Sequence, residues 1–248
     1  MFRFAMFRSA ARLELALIAG LAAGCGSGEG ARSADTAPLS PEALAQPSRD
    51  AGAADPPSAT FAIPAGAPKV VFLGDSISAG LHLEPGQAFP ALLQRTLAAE
   101  GHPFHLVNAG VSGDTSAGGL QRLDWLLEQE PDVLVLELGG NDGLRGQPVG
   151  EIEARLRQIV QRAQAAGARV LLLGVRVPPS LGAEYAGAFE AIYPRLAAEL
   201  GCALVPYFMD GTAGVPGRML DDGLHPSAAG HERLAENVAP ALRELLRR

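Results

Sequence analysis

Cysteine is nearly absent: the 248 residues hold only Cys25 and Cys202. That excludes a disulfide scaffold and, with no Cys/His cluster at ligand spacing, a structural zinc site. Basic residues are in the minority, 20 against 27 acidic, giving a formal charge of −7. A nucleic-acid partner would need a basic face to neutralise phosphates, so that class is set aside. No apolar run reaches the roughly 20 residues that a membrane span requires. The 30 Gly and 19 Pro follow no triplet period, which removes collagen, and no internal repeat is visible. What the chain does have is apolar material, 48% of it hydrophobic, ample for one core.

The first residues read as an address. Arg3, Arg8 and Arg12 precede the apolar run Leu15–Ala23, which leaves through Gly24 to Cys25, with Glu14 at its edge. A basic start, a short apolar stretch and a small-residue exit form the pattern of an export signal. Its end resembles a bacterial lipobox, in which the Cys becomes the lipidated first residue of the mature protein. It departs from that pattern at Ala22, where Leu is preferred. On this reading residues 1–25 are the signal, Cys25 is the lipidation candidate, and the protein is periplasmic or anchored on an envelope membrane. Cleavage near Ala23 or Gly24 would give a secreted soluble protein instead, and a start at Met6 would shorten the basic leader. Residues 26–68 are rich in Ala, Gly, Pro, Ser and Asp, too poor in large apolar groups to offset ordering entropy, and are expected to form a tether.

From residue 69 to the end the texture is that of one folded domain. Strand-length apolar runs stand at Val70–Leu73, His105–Asn108, Val133–Leu138, Arg169–Val175 and Ala203–Pro206. Helical patterns separate and follow them: Phe89–Glu100, Leu120–Gln129, Glu151–Ala166, Ala183–Leu200 and Ser227–Leu246. Within the third, Ile152, Leu156, Ile159, Val160 and Ala163 recur at three and four, a single buried stripe. Pro194 should kink or split the fourth. Trp125, near Leu123 and Leu126, is expected in the core. Alternating strand and helix with all-apolar strands predicts an α/β fold, a flavodoxin-like three-layer α/β/α sandwich on a five-stranded, mostly parallel sheet. Ligands in such folds sit beyond the carboxyl ends of the strands.

Those ends carry Gly74-Asp75-Ser76, Asn108 to Ser116 around Gly113, Gly139-Gly140-Asn141-Asp142, and Asp221-Asp222-Gly223-Leu224-His225-Pro226. Ser76 lies where a strand hands over to a helix, which suits an activated hydroxyl or an ordinary N-cap equally. Asp222 and His225 are three apart, so one carboxylate can orient one imidazole and leave its other nitrogen free. Asp221 competes for that role, and Asp222 could instead cap the following helix, in which Pro226 fits the first position. The amide of Ser76, the amide of Gly113 and the side chain of Asn141 are candidate donors to a developing oxyanion. Asn141 could equally brace its own turn. Asp75 and Asp142 are expected to fix loops. His82, His102, His105 and His231 have no acidic partner at matching spacing, and Cys202 reads as a small buried hydrophobe.

Taken together, these four stretches resemble the blocks of the SGNH (GDSL-type) hydrolases, with Asn141–Gly146 and Ile192–Leu196 similar to the exported arylesterase, thioesterase and lysophospholipase branch. The resemblance implies Ser76, Asp222 and His225 as the catalytic set and Ser76, Gly113 and Asn141 as the oxyanion hole. It implies no metal and no cofactor, and small-molecule acyl esters, thioesters or lysophospholipids as substrates. The loops Gly143–Gly150 and Val177–Gly187 are expected to shape the acyl pocket. Two alternatives remain: an O-acetylesterase of carbohydrate or peptidoglycan, and a surface-anchored binding protein without activity.

Overall fold

The computed structural model describes residues 62–247. The residues read as an export signal, Cys25 and the expected tether up to residue 61 lie outside the described residues. The element order is β1 (Lys69–Gly74), α1 (Ser76–Ala79), α2 (Phe89–Ala99), β2 (His105–Gly110), α3 (Ser116–Gln121), α4 (Leu123–Leu127), β3 (Val133–Glu137), α5 (Gly140–Leu144) and α6 (Val149–Ala165). Then come β4 (Arg169–Leu173), α7 (Ala183–Glu190), α8 (Ile192–Leu200), β5 (Ala203–Val205) and α9 (Ala228–Leu246).

The sheet order is β2-β1-β3-β4-β5, and every pairing is parallel. Strands β1 and β3 are central and buried on both faces, which is why their sequences are runs and not alternations. The edge strand β2 is only partly covered. The chain leaves β1 toward β2 and returns past β1 to β3, so the strand order reverses there. Right-handed crossovers then send the first connection and the later ones to opposite faces. Accordingly α2 packs on α9, while α3 and α8 pack on α6. The expected three-layer fold is the one observed, with its switch point between β1 and β3.

Local expectations divide. The α6 stripe is buried as its spacing requires. Pro194 has no N–H for the carbonyl of Glu190, and the helical run breaks between Glu190 and Ile192. The single helix expected over Leu120–Gln129 is instead α3 and α4, meeting at Arg122. Trp125 is 63% exposed, not core. Leu123 and Leu126 face inward, and a residue two places after the first and one before the second points away from both. Cys202 is half-buried, packed against the edge of the core. Helix α9 is capped by Ser227, so Pro226 precedes the helix and does not start it.

Candidate active site

Ser76 opens α1, directly after β1, and Asp75 caps that helix by accepting from the Ile77 N–H. The Ser76 amide at the first turn has no partner within its own helix, as at any helix N-terminus. Gly74 is demanded by close approach: a Cβ there would collide with the Ser78 side chain and come within 2.7 Å of Glu137 Oε2. From the other end of the chain, Leu220 N–H bonds the His225 carbonyl and Met219 bridges Pro226, so residues 219–226 form a tight reversal ahead of α9.

That reversal delivers His225 onto Ser76, with Oγ and Nε2 2.9 Å apart. On its far side the imidazole Nδ1 meets Asp222 Oδ2 at 2.6 Å. The other carboxylate oxygen accepts from the backbone N–H of Leu224 and of His225, both at 2.9 Å. Those bonds, the His225 amide first and its ring next, hold the Asp222 carboxyl below the usual range. A carboxylate there fixes the hydrogen on Nδ1, leaving Nε2 as the acceptor of the Ser76 hydroxyl hydrogen. Chemically this is a hydroxyl with a base beside it and an acid orienting the base. Asp222, not Asp221, supplies the acid.

Asn141 reaches the same place from the first turn of α5. Its Nδ2 donates to Asp75 Oδ2 at 3.1 Å and to the Asp114 carbonyl at 2.9 Å. Gly113 lies one residue before Asp114 with φ +79°, a conformation glycine adopts without strain, and its carbonyl accepts from Arg145 at 3.2 Å. Asn141 therefore ties its loop to Asp75 and to the Asp114 carbonyl, the bracing its position allowed, and lines the same cavity as Ser76. Asp142 accepts from the Ser116 hydroxyl and amide, the loop-fixing role expected of it.

A cavity of about 510 Å³ opens beside Ser76, Asn141 and His225. Its walls are mostly apolar, with Leu144, Val177, Pro178, Met209, Met219 and Leu224 among them. Leu144 and Val177 belong to the two loops expected to shape it. The segment 207–219 contributes Tyr207, Met209, Ala213 and Met219 and carried no motif to announce it. Gly113 is not part of this wall.

Beneath the site lies a residue that motif reading passed over. Glu137, at the end of β3, is 1% exposed and accepts from the Ser78 hydroxyl at 2.8 Å and the Asp75 N–H at 3.2 Å. Burial, then the neighbouring charge of Asp75, raises the Glu137 carboxyl well above its ordinary range. Burial also pushes Asp75 up to about 6, against the opposing bonds from Ile77 and Glu137. One acidic letter inside an otherwise apolar run, Val133–Leu138, was the available signal. The other histidines separate as well. His82 is exposed, with its ring edge-on to His225 at 6.4 Å, and His105 bonds the Pro64 carbonyl. His231 is buried, with Nδ1 accepting from the Phe89 N–H. Among the described residues no cluster of three or more His, Cys, Asp or Glu could hold a metal ion.

Residues 72–233 match the GDSL-like Lipase/Acylhydrolase family. Esterase TesA of Pseudomonas aeruginosa is 50% identical over 183 residues, covering 73% of this chain and 91% of that protein. Thioesterase 1/protease 1/lysophospholipase L1 of Escherichia coli K12 is 43% identical over 183 residues, covering 73% and 86%. The crystal structure of TesA superposes with a TM-score of 0.69 at 50% identity, covering 71% of this chain and 99% of that one. With the blocks at its strand ends, its sheet order and these likenesses in agreement, the chain belongs to the GDSL-like lipase/acylhydrolase family of SGNH serine hydrolases.

Proposed function

We propose that the protein hydrolyses carboxylic esters and thioesters of acyl chains through an acyl-enzyme on Ser76. The observation that carries this reading is the run Ser76–His225–Asp222, at 2.9 and 2.6 Å, standing at the mouth of an apolar cavity. Ser76 Oγ attacks the acyl carbonyl as His225 Nε2 takes its proton. The imidazolium, stabilised by Asp222, then gives that proton to the leaving alcohol or thiol. Water enters, His225 removes its proton, and the acid is released from Ser76. The oxyanion is met by the Ser76 amide at the N-terminus of α1, by the Gly113 amide and by Asn141, which turns one N–H from its present acceptor toward the substrate oxygen.

An apolar wall favours an acyl chain over an acetylated sugar, whose hydroxyls would need polar partners. The names of the relatives, esterase TesA and thioesterase 1/lysophospholipase L1, agree with oxygen esters and thioesters both. The five intact site positions speak against a binding protein without activity. Export, with Cys25 lipidated, is part of this proposal and rests on the leader residues alone; mass spectrometry of the mature N-terminus tests it.

The central test is Ser76→Ala assayed on p-nitrophenyl octanoate and on an octanoyl thioester. Turnover should fall by at least about 10³-fold on both, with the circular dichroism spectrum unchanged. Equal rates in wild type and variant would overturn the acyl-enzyme. A marked preference for acetylated glycans would replace the substrate class.

A further inference from the structure

We propose that Glu137, in its protonated form, is a positioning residue for the nucleophile turn, donating its hydrogen to Asp75 and thereby holding Ser76 and Asn141 in place. The inference rests on the reading of Ser76 as nucleophile, although one of its two readouts does not.

The geometry is a chain of contacts running under the site. Glu137 Oε2 accepts from the Ser78 hydroxyl, in the same short helix as Ser76, and from the Asp75 N–H immediately before Ser76. Glu137 Oε2 is thereby bonded to the backbone of Asp75, and the donation from Glu137 to the Asp75 carboxylate is the step inferred from that placement. Asp75 in turn accepts from the Ile77 amide at the start of α1 and from Asn141 Nδ2. Removing Glu137 would thus loosen the turn carrying Ser76 and the acceptor that holds Asn141.

None of the Glu137 partners named here is a cation. Two buried carboxylates side by side cannot both stay charged without large cost, and one hydrogen between them resolves it. The groups facing the pair agree. Asp114 adds negative charge from the neighbouring loop, and the guanidinium of Arg122 is occupied by Asp114 and by the carbonyls of Ala109 and Gly74. The buried Tyr193 of α8 bonds the Leu138 carbonyl, and His225 approaches from the Asp75 side. The charge of the pair then resides on Asp75, nearer His225, with Glu137 neutral.

Glutamine reproduces a neutral Glu137: its carbonyl accepts from Ser78 and Asp75, and its amide donates to the Asp75 carboxylate. Glu137→Gln should keep kcat and KM on p-nitrophenyl octanoate close to wild type at neutral pH. Glu137→Leu, leaving two donors unmatched, should lose on the order of 10²-fold in kcat with KM little changed. Independently of activity, a group raised in the folded state stabilises it fully below its unfolded value, here 4.5, and that stabilisation is lost as pH climbs toward the folded value. The thermal midpoint of Glu137→Gln should therefore gain on wild type steadily as pH rises above 4.5. A Gln variant as impaired in kcat as the Leu variant, or a midpoint gap that stays constant with pH, would overturn the proposal. Should Ser76→Ala remain active, the midpoint gap would still test the shared hydrogen on its own.

Discussion

Ser76 and His225 are 149 positions apart in the chain, yet their Oγ and Nε2 atoms lie 2.9 Å from each other. The fold achieves this by setting β1 at the centre of the sheet and packing α9, just downstream of His225, against α2, just downstream of Ser76. A single side-chain bond, from the Phe89 N–H to His231, joins the starts of those two helices.

The acid behind His225 should be indispensable although it is partly exposed. In Asp222→Asn the side-chain oxygen can keep its two backbone bonds, but its NH2 group then faces His225 Nδ1. The ring must carry its hydrogen on Nε2 and can no longer accept from Ser76. By the magnitude known for such a tautomer error, kcat should fall about 10⁴-fold, with KM and fold little changed. Because its bonds lower Asp222, it stabilises the fold above its ordinary value of 3.8 and loses that contribution only as pH falls through a still lower one. A variant that retained most of its kcat would mean that something else orients the imidazole.

Chain-length preference should follow the cavity. Each methylene buried in an apolar wall adds about 0.8 kcal/mol, roughly a fourfold gain in kcat/KM, until the space is filled. Ala186 lines the cavity from α7, an element that carries none of Ser76, Asp222 and His225. Ala186→Trp should move the break in a p-nitrophenyl ester series to shorter chains while leaving acetate turnover near wild type. An unchanged break would place the acyl group elsewhere.

Much of this was legible in the sequence, for an identifiable reason. Ser76, Asn141, Asp222 and His225 lie in short stretches whose residue types and spacing are set by chemistry, and a parallel sheet brings strand ends together whatever fills its core. Gly113 stands in such a stretch too, and its φ of +79° is one that glycine adopts without strain. Glu137 was hidden because it acts through neighbours, within a strand that otherwise reads as plain core. The 207–219 side of the cavity was hidden because only packing decides which of its apolar residues turn toward Ser76. Pro194 announced its break, since a missing N–H is local. The break at Arg122 was not announced, because that side chain spans to Asp114 and to two carbonyls of the sheet.

The exposed tryptophan gives a simple test of the register of α4. Trp125→Ser should change stability by no more than about 0.5 kcal/mol, as for a surface site. Leu126→Ala, at a fully buried position one residue on, should cost about 2–5 kcal/mol. Urea midpoints of the two variants separate the cases, and comparable losses would put the indole back in the core.

His231 should set an acid limit on stability. Burial, reinforced by the nearby His225, lowers its pKa from 6.5 to about 4, and its ring stacks on Phe89 while Nδ1 accepts the Phe89 N–H. The folded state therefore holds it neutral, whereas the unfolded chain takes up a proton below 6.5. More protons on the unfolded side mean that stability rises with pH between about 4 and 6.5 and is lost on going down through that window. At 1.36 kcal/mol for each pH unit of difference, the loss is on the order of a few kcal/mol. Asp75, raised to about 6, slopes the opposite way over much of the same range, so the wild-type curve alone conceals both. His231→Asn separates them: the amide oxygen can accept the Phe89 N–H without titrating, while Asp75 is common to both proteins. The variant should be less stable than wild type at neutral pH, having lost the ring, and the difference should shrink as the pH is lowered toward 4. Urea midpoints at a series of pH values measure it. A difference that holds constant across the series would mean that His231 takes up its proton in the folded protein as readily as in the unfolded chain.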